Sequence, residues 1–125
     1  VRYVDDFIIL HKNKEILELY KVEINHFLKE ALKIELHSDK SKIKKLKNGI
    51  NFLGYKIFYH YKTIKKINKE RFEKKFSENI KDYKEGIEDY DYLISILRGW
   101  FGYIMWANTY KYRKKLAKIL EEAEK

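Results

Sequence analysis

Asp5 and Asp6 are adjacent carboxylates set between two β-prone runs, Arg2 to Val4 and Phe7 to His11. Two residues between such runs is the spacing of a tight hairpin, with the Asp pair at its tip. The flanking strands are apolar enough to be buried. Carboxylates held side by side repel, and one must take up a proton unless a cation sits nearby. Magnesium suits them: it accepts a few carboxylate oxygens and leaves places for water and phosphate oxygens. A pair of such ions can activate an attacking 3′-hydroxyl and neutralise a departing pyrophosphate. The same residues also have a purely structural reading, because Asp tolerates the positive φ of a type I′ turn.

A second candidate is a charge stretch. Between Ser38 and Lys75 thirteen basic residues stand against three acids, Asp39, Glu70 and Glu73, so this segment nets +10 of the chain's +9 and the remainder carries −1. A concentrated positive stretch in an ordered domain fits a polyanion, since each phosphate contact releases condensed counterions. A solubilising lysine surface accounts for the same count. With no Cys there is no disulfide, thiolate metal site or thiol nucleophile, which agrees with a cytoplasmic setting. Apolar runs such as Phe7 to Leu10 fall far short of a membrane span, and no stretch of the sequence reads as a signal peptide.

The elements that must position these groups can be read in order. After the first hairpin, Ile16, Leu17, Tyr20, Ile24, Phe27, Leu28 and Ala31 recur at helical spacing, predicting a helix over 14–32 with one buried face and Asn13 as its N-cap. Ile34 to Leu36 reads as a short strand. Lys42 to Leu46, the turn dipeptide Asn48-Gly49, and Ile50 to Tyr59 read as a second hairpin, with a further extended piece from Thr63 to Ile67. Then the pattern turns helical. Phe72, Phe76, Ile80 and Tyr83 mark a helix capped by Asn68 and ended by Gly86. Asp89 or Asp91 caps the next, carrying Leu93, Ile96, Leu97, Trp100, Ile104 and Ala107. A last helix from about Tyr110 carries Leu116, Ile119, Leu120 and Ala123. The expected class is α+β: antiparallel hairpins and βαβ-type elements first, then about three helices. Because the sequence opens on a strand-like run at Val1 without Met, it reads as a fragment.

Arg2-Tyr3-Val4-Asp5-Asp6-Phe7 resembles the Tyr-x-Asp-Asp motif of reverse transcriptases. Two further stretches follow in the family's order. Ile34 to Lys40 resembles the next palm motif, and Gly49-Ile50-Asn51-Phe52-Leu53-Gly54-Tyr55 resembles the Phe-Leu-Gly hairpin called the primer grip. Within the superfamily the likeness is greatest to the enzymes of diversity-generating retroelements. It rests on Ile96 to Tyr103, then Ala107-Asn108-Thr109-Tyr110 and the basic Arg113-Lys114-Lys115. Group II intron and retron-type enzymes share the palm motifs but match this tail less well. The resemblance implies the C-terminal part of a palm over 1–67 and a helical thumb over 68–125. It implies RNA-directed DNA polymerisation from dNTPs on an RNA template and DNA primer, with two magnesium ions shared with an Asp from an upstream palm strand that this sequence lacks. The other implied partners are the upstream fingers and palm half, a small basic accessory protein and a structured RNA, with no membrane. The isolated chain is then expected to be inactive.

By the same resemblance Asp5 is the direct metal ligand and Asp6 a weaker or supporting one. Tyr3 lies beside the primer end, or else fills the core. Lys40 reaches the leaving pyrophosphate, or is one more surface lysine; His37 is a packed or solvated neighbour. Phe52, Leu53, Gly54 and Tyr55 form the grip, where Gly54 admits a close backbone, and Lys44, Lys45, Lys47 and Lys56 face phosphates. Gly99 and Gly102 interrupt a helical pattern at about 1 kcal/mol each relative to Ala, which suggests close approach by a duplex minor groove or by another helix. Trp100 and Trp106 are spaced so that at least one is core. Asn108, Tyr110 and Arg113 form a polar and aromatic edge, for template contacts or simply for starting the last helix, and Arg98 joins the nucleic-acid-binding set. Two readings from other classes remain: a non-catalytic basic clamp for duplexes, and a partner-binding piece of a retroelement complex.

Overall fold

The computed structural model describes every residue from Val1 to Lys125 and has an α+β fold of two small antiparallel sheets and four α-helices. The chain divides into two compact units, Val1–Lys45 and Leu46–Lys125.

The first unit opens with β1 (Arg2–Tyr3) and β2 (Asp6–Phe7), paired Arg2 to Phe7 and Tyr3 to Asp6. Val1 and Ile8 extend the ladder by exchanging both bonds, 2.9 Å from the amino terminus to the Ile8 carbonyl and 2.7 Å in return. That register makes Val4-Asp5 the turn, one residue earlier than the Asp5-Asp6 expected. Helix α1 (Lys14–Phe27) is capped by Asn13, whose side chain accepts the Glu15 N–H at 2.7 Å. A single π-helical turn, Leu28–Leu32, follows and stops at Lys33 in the left-handed region.

Ile34 to Leu36 forms no strand, for no neighbouring strand pairs with it; the Leu36 N–H donates instead to Asn25 Oδ1 at 3.0 Å. No residue of this unit is buried. The expected buried face of α1 is only half covered at Ile16, Leu17, Ile24 and Leu28, with Tyr20 and Phe27 exposed. Tyr3, Val4 and Phe7 on the first hairpin are exposed as well, contrary to expectation, because nothing in the unit packs over them.

The second unit begins with a 3₁₀ turn at Leu46–Asn48, closed by the Gly49 N–H on the Leu46 carbonyl at 2.9 Å. It stands where Asn48-Gly49 was expected to reverse a hairpin; the lysine-rich residues before it form no strand. The sheet is a meander of β3 (Ile50–Phe52), β4 (Tyr55–Ile57) and β5 (Lys62–Ile64), and its first hairpin turns at Leu53-Gly54. Three helices follow: α2 (Lys66–Lys84), α3 (Tyr90–Ile104) and α4 (Tyr110–Glu124). Lys65, not Asn68, stands at the cap position of α2; Asn68 lies inside the first turn. The end of α2 is a Schellman motif, with Gly86 at φ 75° and bonds from Ile87 to Asp82 and from Gly86 to Tyr83. Asp89 caps α3 by accepting the Tyr92 N–H at 2.7 Å.

Phe76, Leu93, Leu97, Leu116 and Leu120 bury together between these helices. Each such side chain contributes about 1.5–3 kcal/mol over exposure. Phe72 stacks on Trp100 with ring centroids 4.5 Å apart. Trp100 is therefore the tryptophan that belongs to the core, and Trp106 is exposed.

Candidate functional site

On the first hairpin Asp5 occupies the second turn position and Asp6 the strand position opposite Tyr3. Cross-strand partners share a face, so Tyr3 and Asp6 stand side by side while Asp5 projects from the tip. The turn carries positive φ at Val4 alone, 51°, the pattern of a type II′ turn. That position suits Gly; a β-branched residue there costs about 1–3 kcal/mol. Neither Asp adopts positive φ, so tolerance of that conformation does not explain the pair.

Both carboxylates are exposed and neither joins a salt bridge. Two exposed carboxylates are a donor set that fits magnesium, which takes one or two of them and completes its shell with water and phosphate oxygens. No group of three or more His, Cys, Asp or Glu side chains gathers here or elsewhere in the chain, so these two are all the acidic ligands the hairpin supplies.

Lys40 is exposed and unpaired, in a turn where the Lys40 and Ser41 N–H groups donate to the His37 carbonyl at 3.2 and 2.9 Å. His37 is solvated and borders a recess with Asn25, His26 and Ser41. Lys44 and Lys45 follow in irregular, exposed backbone.

The second unit gathers Phe52, Leu53, Gly54 and Tyr55, the residues expected to form a grip, around one turn. Leu53 and Gly54 have φ of 51° and 84°, the positive pair that a type I′ turn needs. The turn is latched to α3 and α2. Tyr55 donates its hydroxyl to the Tyr103 carbonyl at 2.6 Å, and the Tyr103 hydroxyl donates to the Leu53 carbonyl at 3.3 Å. The Gly54 carbonyl accepts from the Lys65 N–H at 3.1 Å and from the Asn68 side chain at 3.5 Å. A Cβ on Gly54 would collide with the Tyr103 hydroxyl. The close neighbour that needs this glycine is thus a tyrosine of the same unit, where the sequence suggested a primer backbone. Burial, and then the neighbouring Tyr103, hold the Tyr55 hydroxyl above its ordinary pKa. Lys56 is exposed on β4, with its ammonium 5.4 Å from the Phe58 ring centre.

Tyr103 and Asn68 are the residues sequence reasoning missed here. Tyr103 stood in the quoted tail, beside Gly102, but nothing local tied it to a turn forty-eight residues away from it at Tyr55.

On α3, Gly99 and Gly102 are exposed, and a Cβ at either would meet nothing within 4 Å. No other helix of the chain packs against either glycine. Arg98 beside them is exposed. Asn108 is exposed and donates its backbone N–H to the Lys62 carbonyl at 2.9 Å. Arg113 is half-buried, and its Nε is enclosed without a hydrogen-bond partner. Next to it, burial and the nearby Glu73 push the Tyr112 hydroxyl up to about 12. Arg113 is therefore tied into the helical bundle more than the other edge residues.

No family model matches the chain. Among curated proteins it is similar to the COX1/OXI3 intron 2 protein of Saccharomyces cerevisiae, 47% identical over 62 residues, or 46% of this chain. The match takes in 7% of that protein, so the chain corresponds to a small part of its length. No helix is long and apolar enough to cross a membrane.

Proposed function

We propose that this chain is the catalytic hairpin and thumb portion of an RNA-directed DNA polymerase of the reverse transcriptase class. The observation that carries the reading is the first hairpin: two adjacent carboxylates at its tip, both exposed and neither in a salt bridge. Similarity to an intron protein is in keeping with a retroelement setting.

In this reading Asp5 is the direct ligand and Asp6 the supporting one, and a third carboxylate comes from an upstream palm strand. Magnesium, when bound, neutralises charge on the reacting phosphate and makes the primer hydroxyl easier to deprotonate. The 3′-oxygen of a DNA primer bonds to the α-phosphorus of a dNTP, its proton passes to solvent, and pyrophosphate leaves. Tyr3, on the same face as Asp6, lies beside the primer end. Lys40 offers its ammonium to the departing pyrophosphate. The Leu53-Gly54 turn with Phe52, Tyr55 and Lys56 steadies the primer strand. The exposed glycine face of α3, with Arg98, lies along the duplex, and Asn108 and Arg113 contact the template. Residues 1–67 form the palm portion and 68–125 the thumb. Dividing it there separates the grip hairpin from helices it is hydrogen-bonded to, so grip and thumb move together. A diversity-generating retroelement is the preferred setting.

The test joins this chain to the fingers and first palm strand the reading requires and measures primer extension on RNA. Extension is expected with the parent sequence and is lost by at least about 100-fold in Asp5→Asn, since even outer-shell partners of a metal cost 10–100-fold. Undiminished extension by Asp5→Asn would remove the catalytic assignment. A basic clamp, which needs no Asp5, would then be the better account of the lysines and the bare face of α3.

A further inference from the structure

The β3–β4–β5 sheet has a second end, away from the Leu53-Gly54 turn, where Phe58 to Tyr61 carry the chain from β4 into β5. The Phe58 N–H donates to the Tyr61 carbonyl at 2.9 Å, and the two rings stack with centroids 4.7 Å apart. This turn is held by its own contacts, yet Tyr59 is 74% and Tyr61 52% exposed. The loop between α3 and α4 is pinned to the same place by the bond from Asn108 to the Lys62 carbonyl, and it brings Trp106, 67% exposed. Phe58, His60, Tyr61 and Lys62 meet Trp106 and Asn108 around an open recess of about 440 Å³.

These aromatics do not serve the core. Trp100 stacks on Phe72 and Tyr103 latches the grip, whereas Trp106 and Tyr59 cover nothing that the fold buries. The two segments that form the recess are one-sided in charge. From Lys40 to Lys69 the sequence holds ten lysines and no acid, and from Tyr92 to Leu120 it again holds no acid. Both walls of the recess come from these acid-free segments. A partner that is anionic and also presents flat apolar faces satisfies both features: unpaired nucleotides stack on aromatic rings while their phosphates meet lysines. Paired bases hide those faces inside the duplex.

We propose that this recess docks an unpaired stretch of RNA, with bases on Trp106 and Tyr61 and phosphates near Lys56 and Lys62. The choice of RNA over DNA rests on the polymerase reading above; the stacking itself does not. The site is separate from the grip turn, at the opposite end of the sheet, and is suited to holding a strand outside the duplex.

The test titrates the whole chain into a short oligouridylate carrying a fluorescent end label and follows the label's anisotropy, a readout that does not depend on either tryptophan. A saturable rise is expected. Stacking is worth about 1–3 kcal/mol per base, so Trp106→Ala should weaken binding by about 5- to 150-fold. Tyr61→Ala is the second variant, at a half-exposed ring that lines the recess. Unchanged affinity in both variants overturns the proposal, as does equal competition by polyglutamate or tighter binding of the matching DNA oligomer. Binding should persist in Asp5→Asn, so a failed polymerase test with intact oligouridylate binding counts against the polymerase reading alone.

Discussion

Gly54 combines two demands that no other residue type meets. Its φ of 84° is a conformation that side chains rarely adopt, and the volume a Cβ would fill is held by the Tyr103 hydroxyl. Gly54→Ala is expected to destabilise the second unit by about 1–3 kcal/mol from the backbone alone, and by more if the Tyr103–Leu53 bond is lost. A urea titration of the variant measures the sum. Because much of the collision is with one hydroxyl, the cost should shrink when Gly54→Ala is made in a Tyr103→Phe background. Additive effects would show that the collision is not the cause. The sequence marked Gly54 as a place of close approach, and that was right in kind. What approaches could not be read, because a hydrogen bond across so long a separation leaves no local pattern. Asp5 and Asp6 stand out in the sequence for the opposite reason: adjacent carboxylates are a local signal. Only the turn around them was misplaced, since the Val1–Ile8 pair sets a register that overrides the Asp preference for positive φ.

Helices were more legible than strands, and the physics explains the difference. Asn13 and Asp89 cap the helices they were expected to cap, and Gly86 ends α2, because each acts within a few residues of its own backbone. Strands depend on partners. Ile34 to Leu36 has the right composition and no neighbour to pair with, so it stays irregular. Asn48-Gly49 has the right dipeptide and no strand before it. Within α3 the glycines make a sharper prediction. Both stand in helical backbone with empty space beside them, so Gly99→Ala should stabilise the second unit by about 0.5–1 kcal/mol, read as a higher urea midpoint with unchanged slope. A helix that keeps such a cost on an exposed face has a use for the bare backbone. If that use is the duplex lying along α3, the more stable variant should also bind duplex more weakly. A destabilised Gly99→Ala would mean that the face is covered within the chain after all.

The two compact units differ in what holds them. In Leu46–Lys125 the helices enclose Phe76, Leu93, Leu97, Leu116 and Leu120, and the sheet is bonded to α2 and α3 through Gly54 and Tyr55. In Val1–Lys45 no side chain is buried, while Tyr3, Phe7, Leu10, Leu19 and Phe27 all stand exposed. An isolated helix as short as α1 is marginal in water, and a lone two-stranded hairpin is no better. Cooperative unfolding should therefore report the second unit alone. The piece 46–125 is expected to melt in urea at the same midpoint as the whole chain. It should also share its slope, because the slope follows the surface newly exposed on unfolding. The piece 1–45 should show little helix by circular dichroism. A steeper slope for the whole chain would mean that the first 45 residues bury surface of their own on folding. On the proposed reading the same apolar residues are covered when the upstream palm is present, so adding that half should protect the α1 amides from hydrogen exchange while leaving those of α3 as they were.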